Sequence, residues 1–403
     1  MKNALDILRS RGFVGQTVYE EDLYKLLGSE KIPFYVGFDP TADSLHIGHY
    51  IPIMAMAHMQ RCGHKPIALV GGGTALIGDP SGRTDMRQML TKEQIGQNVV
   101  SIKKQMERFL SFDGESGAMI VNNADWLMNL NYIEFIRDIG AYFSVNKMLT
   151  ADCFKSRLEK GLSFLEFNYM PMQAYDFLVL YQKYGCKLEM GGNDQWSNIL
   201  AGADLIRRKE GVDAFAITSP LLLNSDGTKM GKTAKGALWL SADRTTPYEF
   251  YQYFRNVEDA KVEECLRLLT FIDLGEIAEL TKYKDERMNA AKERLAYEVT
   301  ALVHGAVEAE TARMQAKAAF GGSADDMQTK EIAGSLSTGI IDVLVLSGAA
   351  GSKSDARRLI EGGGVRINEI KVTDLMSALA DYTTKSEFIL HKGKKFHLKI
   401  TLA

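Results

Sequence analysis

No apolar run in this chain approaches the roughly eighteen residues that would suggest a membrane-spanning helix, and the mean composition is that of a soluble globular protein. Cysteine is scarce: Cys62, Cys153, Cys186 and Cys265 are widely scattered without a Cys-x-x-Cys pair, which argues against a zinc site and against a disulfide scaffold. Charge of one sign is also lacking. The net charge is −3, so no overall basic field announces a nucleic-acid partner, and any such partner must be held by a local patch. The first residues, "MKNALDILRSRGF", contain no seven-residue apolar core and carry Asp6 early. They read as neither secretory signal nor transit peptide, and a cytoplasmic location is expected. Proline is absent beyond Pro247, all eight lying at or before it, which divides the 403 residues unevenly and suits the two or three domains expected of this length.

What is present before that division is a set of short apolar runs bounded by glycine, notably "FYVGF" (34–38) and "KPIALVGGG" (65–73), each followed by a plausible helix. Buried parallel strands alternating with helices give this pattern, so residues 1 to about 220 read as an α/β nucleotide-binding type of domain. From Thr246-Pro247, a cap residue followed by proline in the first turn, the pattern becomes helix-periodic to about Phe320 and rich in Ala, Glu, Lys, Leu and Met. A small, polar stretch then reads as a linker. The last unit, from Ile340 to Ala403, begins with a helix capped by Ser352 or Ser354. It continues through a triple-glycine stop to an alternating hairpin around Asn368-Glu369.

Five stretches carry candidate chemistry. In "YVGFDPTADSLHIGHY" (35–50), His46 and His49 are three apart, so on a helix beginning after Ser44 they share one face near its N-terminus. Two imidazoles beside free backbone N–H groups suit a phosphate whose charge grows during reaction. Ligation of a metal with Asp39 or Asp43, or a structural role, remain alternatives. Gly48 favours phosphate, because a missing side chain lets a base or ribose approach the backbone. Pro52 falls inside this helix and is expected to kink it or cost stability.

In "LVGGGTALIGDPSGRTDMRQ" (69–88) the glycines miss both the dinucleotide fingerprint and the P-loop. They still imply close approach of backbone to something, with Asp79 able to accept from a ligand ammonium. Arg83 and Arg87 suit a leaving pyrophosphate or a solvated face. In "NYMPMQAYDFLVLY" (168–181), Tyr169, Gln173 and Asp176 form one helical stripe that points either inward to a ligand or outward as the polar face of an amphipathic helix. In "EMGGNDQWSNI" (189–199), Gly191-Gly192 reads as a tight turn into a helix capped by Asn193 or Asp194, with Asp194 alternatively reaching a ribose hydroxyl. Finally "NSDGTKMGKT" (224–233) ends like a P-loop, but Gly227 is one residue too late for that motif.

Together these residues resemble the class I aminoacyl-tRNA synthetases, specifically the bacterial-type tyrosyl-tRNA synthetases. "HIGH" (46–49) is that class's first signature, and "KMGKT" (229–233) is similar to its second, a mobile lysine loop. The tail, with "DARRLIEGGGVRIN", resembles the S4-type RNA-binding fold. The resemblance implies an α/β class: a Rossmann-like parallel-sheet catalytic domain over 1–220 and a lysine loop with an α-helical tRNA-binding domain over 221–325. A linker over 326–339 and a small α+β S4-like domain over 340–403 would follow. It implies tyrosine–tRNA ligase activity with ATP and Mg2+, no zinc, tRNA(Tyr) as partner and a homodimer, with "WLMNLNYIEFIRDIGAYFSV" (126–145) apolar enough to supply the interface.

Carried over residue by residue, the resemblance puts the substrate phenol between Tyr35 and Asp176. Its ammonium would lie among Asp79, Tyr169 and Gln173, with Gln195 near the carboxylate. ATP would lie over Gly37, Asp39, Gly48, Gly192 and Asp194, its phosphates surrounded by Thr41, His46, His49, Arg83, Arg87, Lys229 and Lys232. Val36, Pro52, Arg83 and Met230 depart from the family's common residues.

RNA contacts are expected from local charge, since residues 340–403 hold ten Lys/Arg against seven Asp/Glu. Arg357, Arg358, Lys392, Lys394 and Lys395 are the candidates, against a solvated charge run. A tryptophanyl enzyme and an inactive RNA-binding paralogue are the rival readings. A donor-plus-acceptor cradle from Tyr35 and Asp176 favours a phenol over an indole, and an intact "HIGH" with both loop lysines counts against the paralogue.

Overall fold

The computed structural model describes residues 3–81, 90–159, 161–233, 236–321, 329–368, 370–393 and 396–402, with Lys232 described in its backbone alone. Arg83, Arg87, Lys394 and Lys395 lie outside the described residues.

The chain forms two compact units, one of Met1–Thr246 with Tyr253–His304 and the other of Pro247–Gln252 with Gly305–Ala403. The first is built on a six-stranded sheet: β1 (Gln16–Thr17), β2 (Pro33–Phe38), β3 (Lys65–Val70), β4 (Met119–Asn122), β5 (Leu188–Gly192) and β6 (Phe215–Ser219). Their order is β1-β6-β5-β2-β3-β4. All neighbours are parallel except the edge pair β1 and β6. β3 and β6, "KPIALV" and "FAITS", are buried almost throughout, as strands covered by helices on both faces must be.

From β2 the chain winds through β3 and β4 to one edge and then returns to place β5 on the other side of β2. The carboxyl ends of β2 and β5 therefore diverge at a topological switch point, where open α/β sheets bind ligands.

Helix Ile47–Arg61 connects β2 to β3 and runs unbroken through Pro52. The proline does not break the helix, for a local reason. Pro52 deprives only the Gly48 carbonyl of its helical donor, and Gly48 is exposed in the first turn, where water or a ligand can serve that oxygen.

The compact units depart from the expected boundary at 220, because helix Asp259–Leu269 belongs with the sheet unit. The Arg11 guanidinium donates to the carbonyls of Arg267, Thr270 and Ile272. Tyr50 Oη of the signature helix donates to Leu269 O at 3.1 Å.

In the second unit, the strands Thr329–Ile332, Val365–Ile367, Ile370–Lys371, Glu387–Lys392 and Phe396–Leu402 form a five-stranded sheet. The stretch expected as a linker over 326–339 thus contains an edge strand, parallel to Phe396–Leu402. Its single buried apolar residue, Ile332, joins a core with Val343, Leu344, Ile360, Phe388 and Leu390. Ser352 caps helix Lys353–Glu361 by accepting from Asp355 N, and Asn368 turns the hairpin with φ +50°.

Candidate active site

A cavity of about 490 Å³ opens where β2 and β5 part. At its floor Tyr35 and Glu189 are paired in register on adjacent parallel strands. Asp176 meets them from helix Tyr169–Tyr184. The stripe of Tyr169, Gln173 and Asp176 therefore points inward, overturning the solvated-face alternative, with Tyr169 and Asp176 buried.

Both oxygens of Asp176 are held by donors, Oδ1 by Trp126 Nε1 at 2.7 Å and Oδ2 by Asn123 Nδ2 at 2.8 Å. Burial nevertheless pushes its pKa up to about 8, with those two hydrogen bonds pulling down and the carboxylates of Glu189 and Asp39 adding to the rise. Glu189 is pushed up to about 7 by burial, against hydrogen bonding from Gln173 and Tyr35 that lowers it. The Tyr35 phenol is raised well above its ordinary value by burial and by both acids. Although these groups feel one another, Tyr35 Oη, Glu189 Oε2 and Gln173 Oε1 are buried without a hydrogen bond of standard geometry. Buried polar atoms in this state call for a polar ligand.

Above the floor the cavity wall is a second polar layer. Asp39 accepts from Tyr169 Oη at 3.0 Å and from Thr74 Oγ1 at 2.9 Å. Asp79, in the loop beyond β3, accepts from Gln195 Nε2 at 2.7 Å and from Ser81 N at 2.9 Å. Acceptor carboxylates in a row, with a lysine only at the mouth among the described lining residues, suit a ligand that brings its own positive charge.

Gly37 and Gly192, at the carboxyl ends of the two central strands, line the cavity with Asp194. The expected cap by Asn193 or Asp194 is not made. Asn193–Gln195 is instead a 3-10 turn, and helix Trp196–Glu210 starts without a side-chain cap. Asp194 is used otherwise: its Oδ1 lies 2.6 Å from where a Cβ on Gly192 would stand. Gly191 and Gly192 end β5 itself and do not form the expected tight turn.

At the mouth, His46 is the N-cap of the signature helix and its Nδ1 accepts from Gly48 N at 3.0 Å. His49 Nδ1 accepts from His46 N at 3.2 Å, and the two rings stack with centroids 4.0 Å apart. Each Nδ1 is thus committed to the backbone. The metal alternative finds no group of three or more His, Cys, Asp or Glu among the described residues. Thr41 lies exposed on the same rim.

The lysine loop crosses opposite. Lys229 is exposed and lines the cavity, while Met230 is buried behind it. Gly231 has φ +87°, and a Cβ there would stand 1.9 Å from Ile47 Cγ2. Only glycine lets the loop rest on the first turn of "HIGH". Leu238 fastens the contact, its N donating to Gly231 O and its O accepting from Ile47 N. The backbone of Lys232 follows directly, in a two-residue strand paired with Gly236–Ala237.

The expected RNA contacts lie elsewhere, in the second unit. Arg357 and Arg358 are exposed on helix Lys353–Glu361, Arg358 standing 3.8 Å from Asp355. Lys392 is half-buried on strand Glu387–Lys392. Its Nζ donates to Ala349 O at 2.6 Å.

Sequence reasoning missed Glu189, Asn123 and Trp126. An acidic residue interrupting the apolar strand "KLEMGG" was a signal for the first. Asn123 and Trp126 gave none, because they reach Asp176 only through the fold.

Residues 28–321 match the family of class I tRNA synthetases (W and Y), and residues 320–400 match the tyrosine–tRNA ligase SYY-like C-terminal domain. The tyrosine–tRNA ligase of Clostridium tetani is 57% identical over 404 residues, 99% of each chain. That of Acetivibrio thermocellus is 56% identical over 409 residues, 100% of each. Among solved structures, a C-terminally truncated mitochondrial tyrosyl-tRNA synthetase of Coccidioides posadasii is similar with a TM-score of 0.68 and 32% identity, covering 78% of this chain and 91% of that one. The tyrosyl-tRNA synthetase of Archaeoglobus fulgidus complexed with L-tyrosine, 18% identical with a TM-score of 0.59 and covering 77% of this chain and 99% of its own, shares the fold. With its signatures placed as the fold requires and its relatives matched over their full length, the chain belongs to the class I tRNA synthetases, in the tyrosine–tRNA ligase family.

Proposed function

We propose that the cavity binds L-tyrosine and ATP with its Mg2+, joins them as tyrosyl-adenylate, and passes the tyrosyl group to the 3′ end of tRNA(Tyr) in the cytoplasm. The observation that carries this reading is the buried Tyr35–Asp176 pair at the floor of the switch-point cavity. A phenol both donates and accepts, and this pair offers one partner of each kind. The ammonium fits among Asp79, Tyr169 and Gln173, with Gln195 beside the carboxylate, and the nucleotide lies across Gly37, Asp39, Gly48, Gly192 and Asp194.

In the first step a tyrosine carboxylate oxygen forms a bond to the α-phosphorus and the bond from that phosphorus to the β-phosphate oxygen breaks, releasing pyrophosphate. No side-chain nucleophile is needed. The protein orients the two reactants and stabilises the charge that builds on the phosphates, through Thr41, His46, His49, Lys229 and Lys232, with Arg83 and Arg87 as further candidates. In the second step a terminal ribose hydroxyl attacks the acyl carbon and AMP leaves. The second unit supplies RNA contacts through Arg357 and Arg358.

Amino-acid-dependent ATP–pyrophosphate exchange with tyrosine, tryptophan and phenylalanine tests the assignment. Exchange is expected with tyrosine, and its absence at saturating ATP sinks the reading. Tyr35→Phe is expected to lower the preference for tyrosine over phenylalanine by at least about fivefold, from the 1–3 kcal/mol that a lost buried partner costs.

Two copies of the chain are proposed to pair through segment 126–145. Ile133 is 71% exposed, and Met128, Tyr132, Ile136 and Val145 are exposed with it, a cluster of apolar side chains that favours burial against a partner surface. Sedimentation of the full chain is expected to give a dimer, and Ile133→Asp with Ile136→Asp a monomer. A monomeric parent at micromolar concentration would overturn the pairing.

A further inference from the structure

Glu189 lies at the floor of the cavity with one oxygen engaged and one not. Oε1 accepts from Gln173 Nε2 at 3.0 Å, while Oε2 is buried without a hydrogen bond, as is Tyr35 Oη. The two residues are register partners on β5 and β2, so their side chains leave the same face of the sheet side by side. The groups that face Glu189 are the Tyr35 phenol from β2, the Asp176 carboxyl from helix Tyr169–Tyr184, the Gln173 amide and the Cys186 thiol just before β5, with Asp39 acting on Asp176 in turn. None of them is a cation. Two acids buried together without a countercharge cannot both ionise cheaply, so the pair retains a proton near neutrality.

The donors around each acid decide where that proton rests. Asp176 already accepts from Trp126 and Asn123, and a bound phenol adds a third donor, which favours its ionised form. Glu189 has one donor of standard geometry, Gln173. Burial lifts both acids far enough for the choice to matter at neutral pH.

Counting protons fixes the direction of the chain. If Glu189 is ionised it takes the Tyr35 proton. The substrate phenol then has a single proton for two acceptors, Tyr35 Oη and Asp176, and one of them goes unsatisfied. If Glu189 is neutral, every group has one partner on each side.

Resting on the reading of Tyr35 and Asp176 as the phenol's partners, we propose that Glu189 is a positioning residue for the substrate. As the neutral acid it donates to Tyr35 Oη, which directs the Tyr35 proton to the phenol oxygen of tyrosine, whose own proton goes to Asp176. Glu189 touches no reacting atom. It selects which way the hydrogen bonds of the cradle run, and it makes tyrosine recognition weaken as pH rises through neutrality.

The test is the pH dependence of KM for tyrosine in pyrophosphate exchange, with kcat measured alongside. From pH 6 to pH 8 the parent KM is expected to rise about tenfold, the span over which one acid titrating near neutrality loses its proton, while kcat changes less. Glu189→Gln carries an amide that donates at every pH, so its KM should not rise over the same range. Glu189→Leu carries no donor and should show a high KM throughout, rescued by glutamine. A level parent profile, or a Glu189→Gln variant that keeps the tenfold rise, overturns the proposal. Tyr35→Phe separates the two claims. If it leaves KM for tyrosine unchanged, the phenol reading fails and the role of Glu189 with it. If it raises KM while Glu189→Gln keeps the parent profile, the role of Glu189 alone fails.

Discussion

Lys232→Ala is expected to lower kcat for tyrosine-dependent pyrophosphate exchange by about 10²–10³-fold, the usual cost of removing one charge-stabilising donor from a transition state. KM for tyrosine should change by less than about threefold. The expectation rests on where the loop is held. Gly231 packs against Ile47 in the first turn of the signature helix, so close that a Cβ would overlap it. Leu238 bonds to both Gly231 and Ile47. The chain at Lys232 is therefore fixed beside the start of "HIGH", at the mouth of the cavity, whereas Tyr35, Asp176 and Glu189 occupy its floor.

On the proposed reading, the Lys232 charge acts on the phosphates and not on the phenol, so its removal should fall on turnover and spare amino-acid binding. Lys229→Ala provides the comparison, because Lys229 lines the same mouth from an exposed position. Equal losses in kcat and in tyrosine binding for Lys232→Ala would place Lys232 in ground-state binding and refute the transition-state role. Gly231 also sets the motif apart from a P-loop: it permits docking of the loop on the signature helix.

Much of this site was legible in the sequence because short motifs carry their own geometry. "HIGH" specifies a helix start, and the helix is there, two residues later than the first possible position, with His46 itself as the cap. The apolar runs at 34–38 and 65–73 became β2 and β3 because buried parallel strands leave no polar alternation to misread.

What escaped was set by tertiary contact. Helix Asp259–Leu269 reads as part of a separate helical domain by composition, whereas the reach of Arg11 to three carbonyls in and beyond it and of Tyr50 to Leu269 O ties it to the sheet unit. Strand Thr329–Ile332 has a single buried apolar residue, too little pattern to distinguish an edge strand from a linker. Asn193 and Asp194 have the residue types of helix caps, but the cavity claims Asp194 as lining and the helix begins uncapped.

Asp176→Ala carries the other large effect: KM for tyrosine is expected to rise at least about tenfold, and the preference for tyrosine over phenylalanine to collapse. The phenol loses its acceptor, at about 1–3 kcal/mol, while Trp126 Nε1 and Asn123 Nδ2 are left facing a side chain that accepts nothing, a cost to the stability of free and bound protein alike. Asp176→Asn does not rescue binding in full, because an amide offers one acceptor oxygen where two donors and the phenol converge.

The same substitution has a second readout that does not depend on substrate. The Asp176 pKa is raised in the folded protein from 3.8 to about 8. The folded state therefore binds this proton more tightly than the unfolded chain does, and its contribution is fully present below the unfolded pKa. It is lost progressively as pH rises towards 8, by up to about 1.4 kcal/mol per pH unit. Thermal unfolding of the parent should show that decline between pH 5 and 8, with Glu189 adding to it. Asp176→Ala should show a shallower one. A variant whose unfolding follows the parent's pH slope would mean that Asp176 is ionised throughout, stabilised by Trp126 and Asn123 beyond what its burial costs. The shared proton of the cradle would then have to reside on Glu189 from the start.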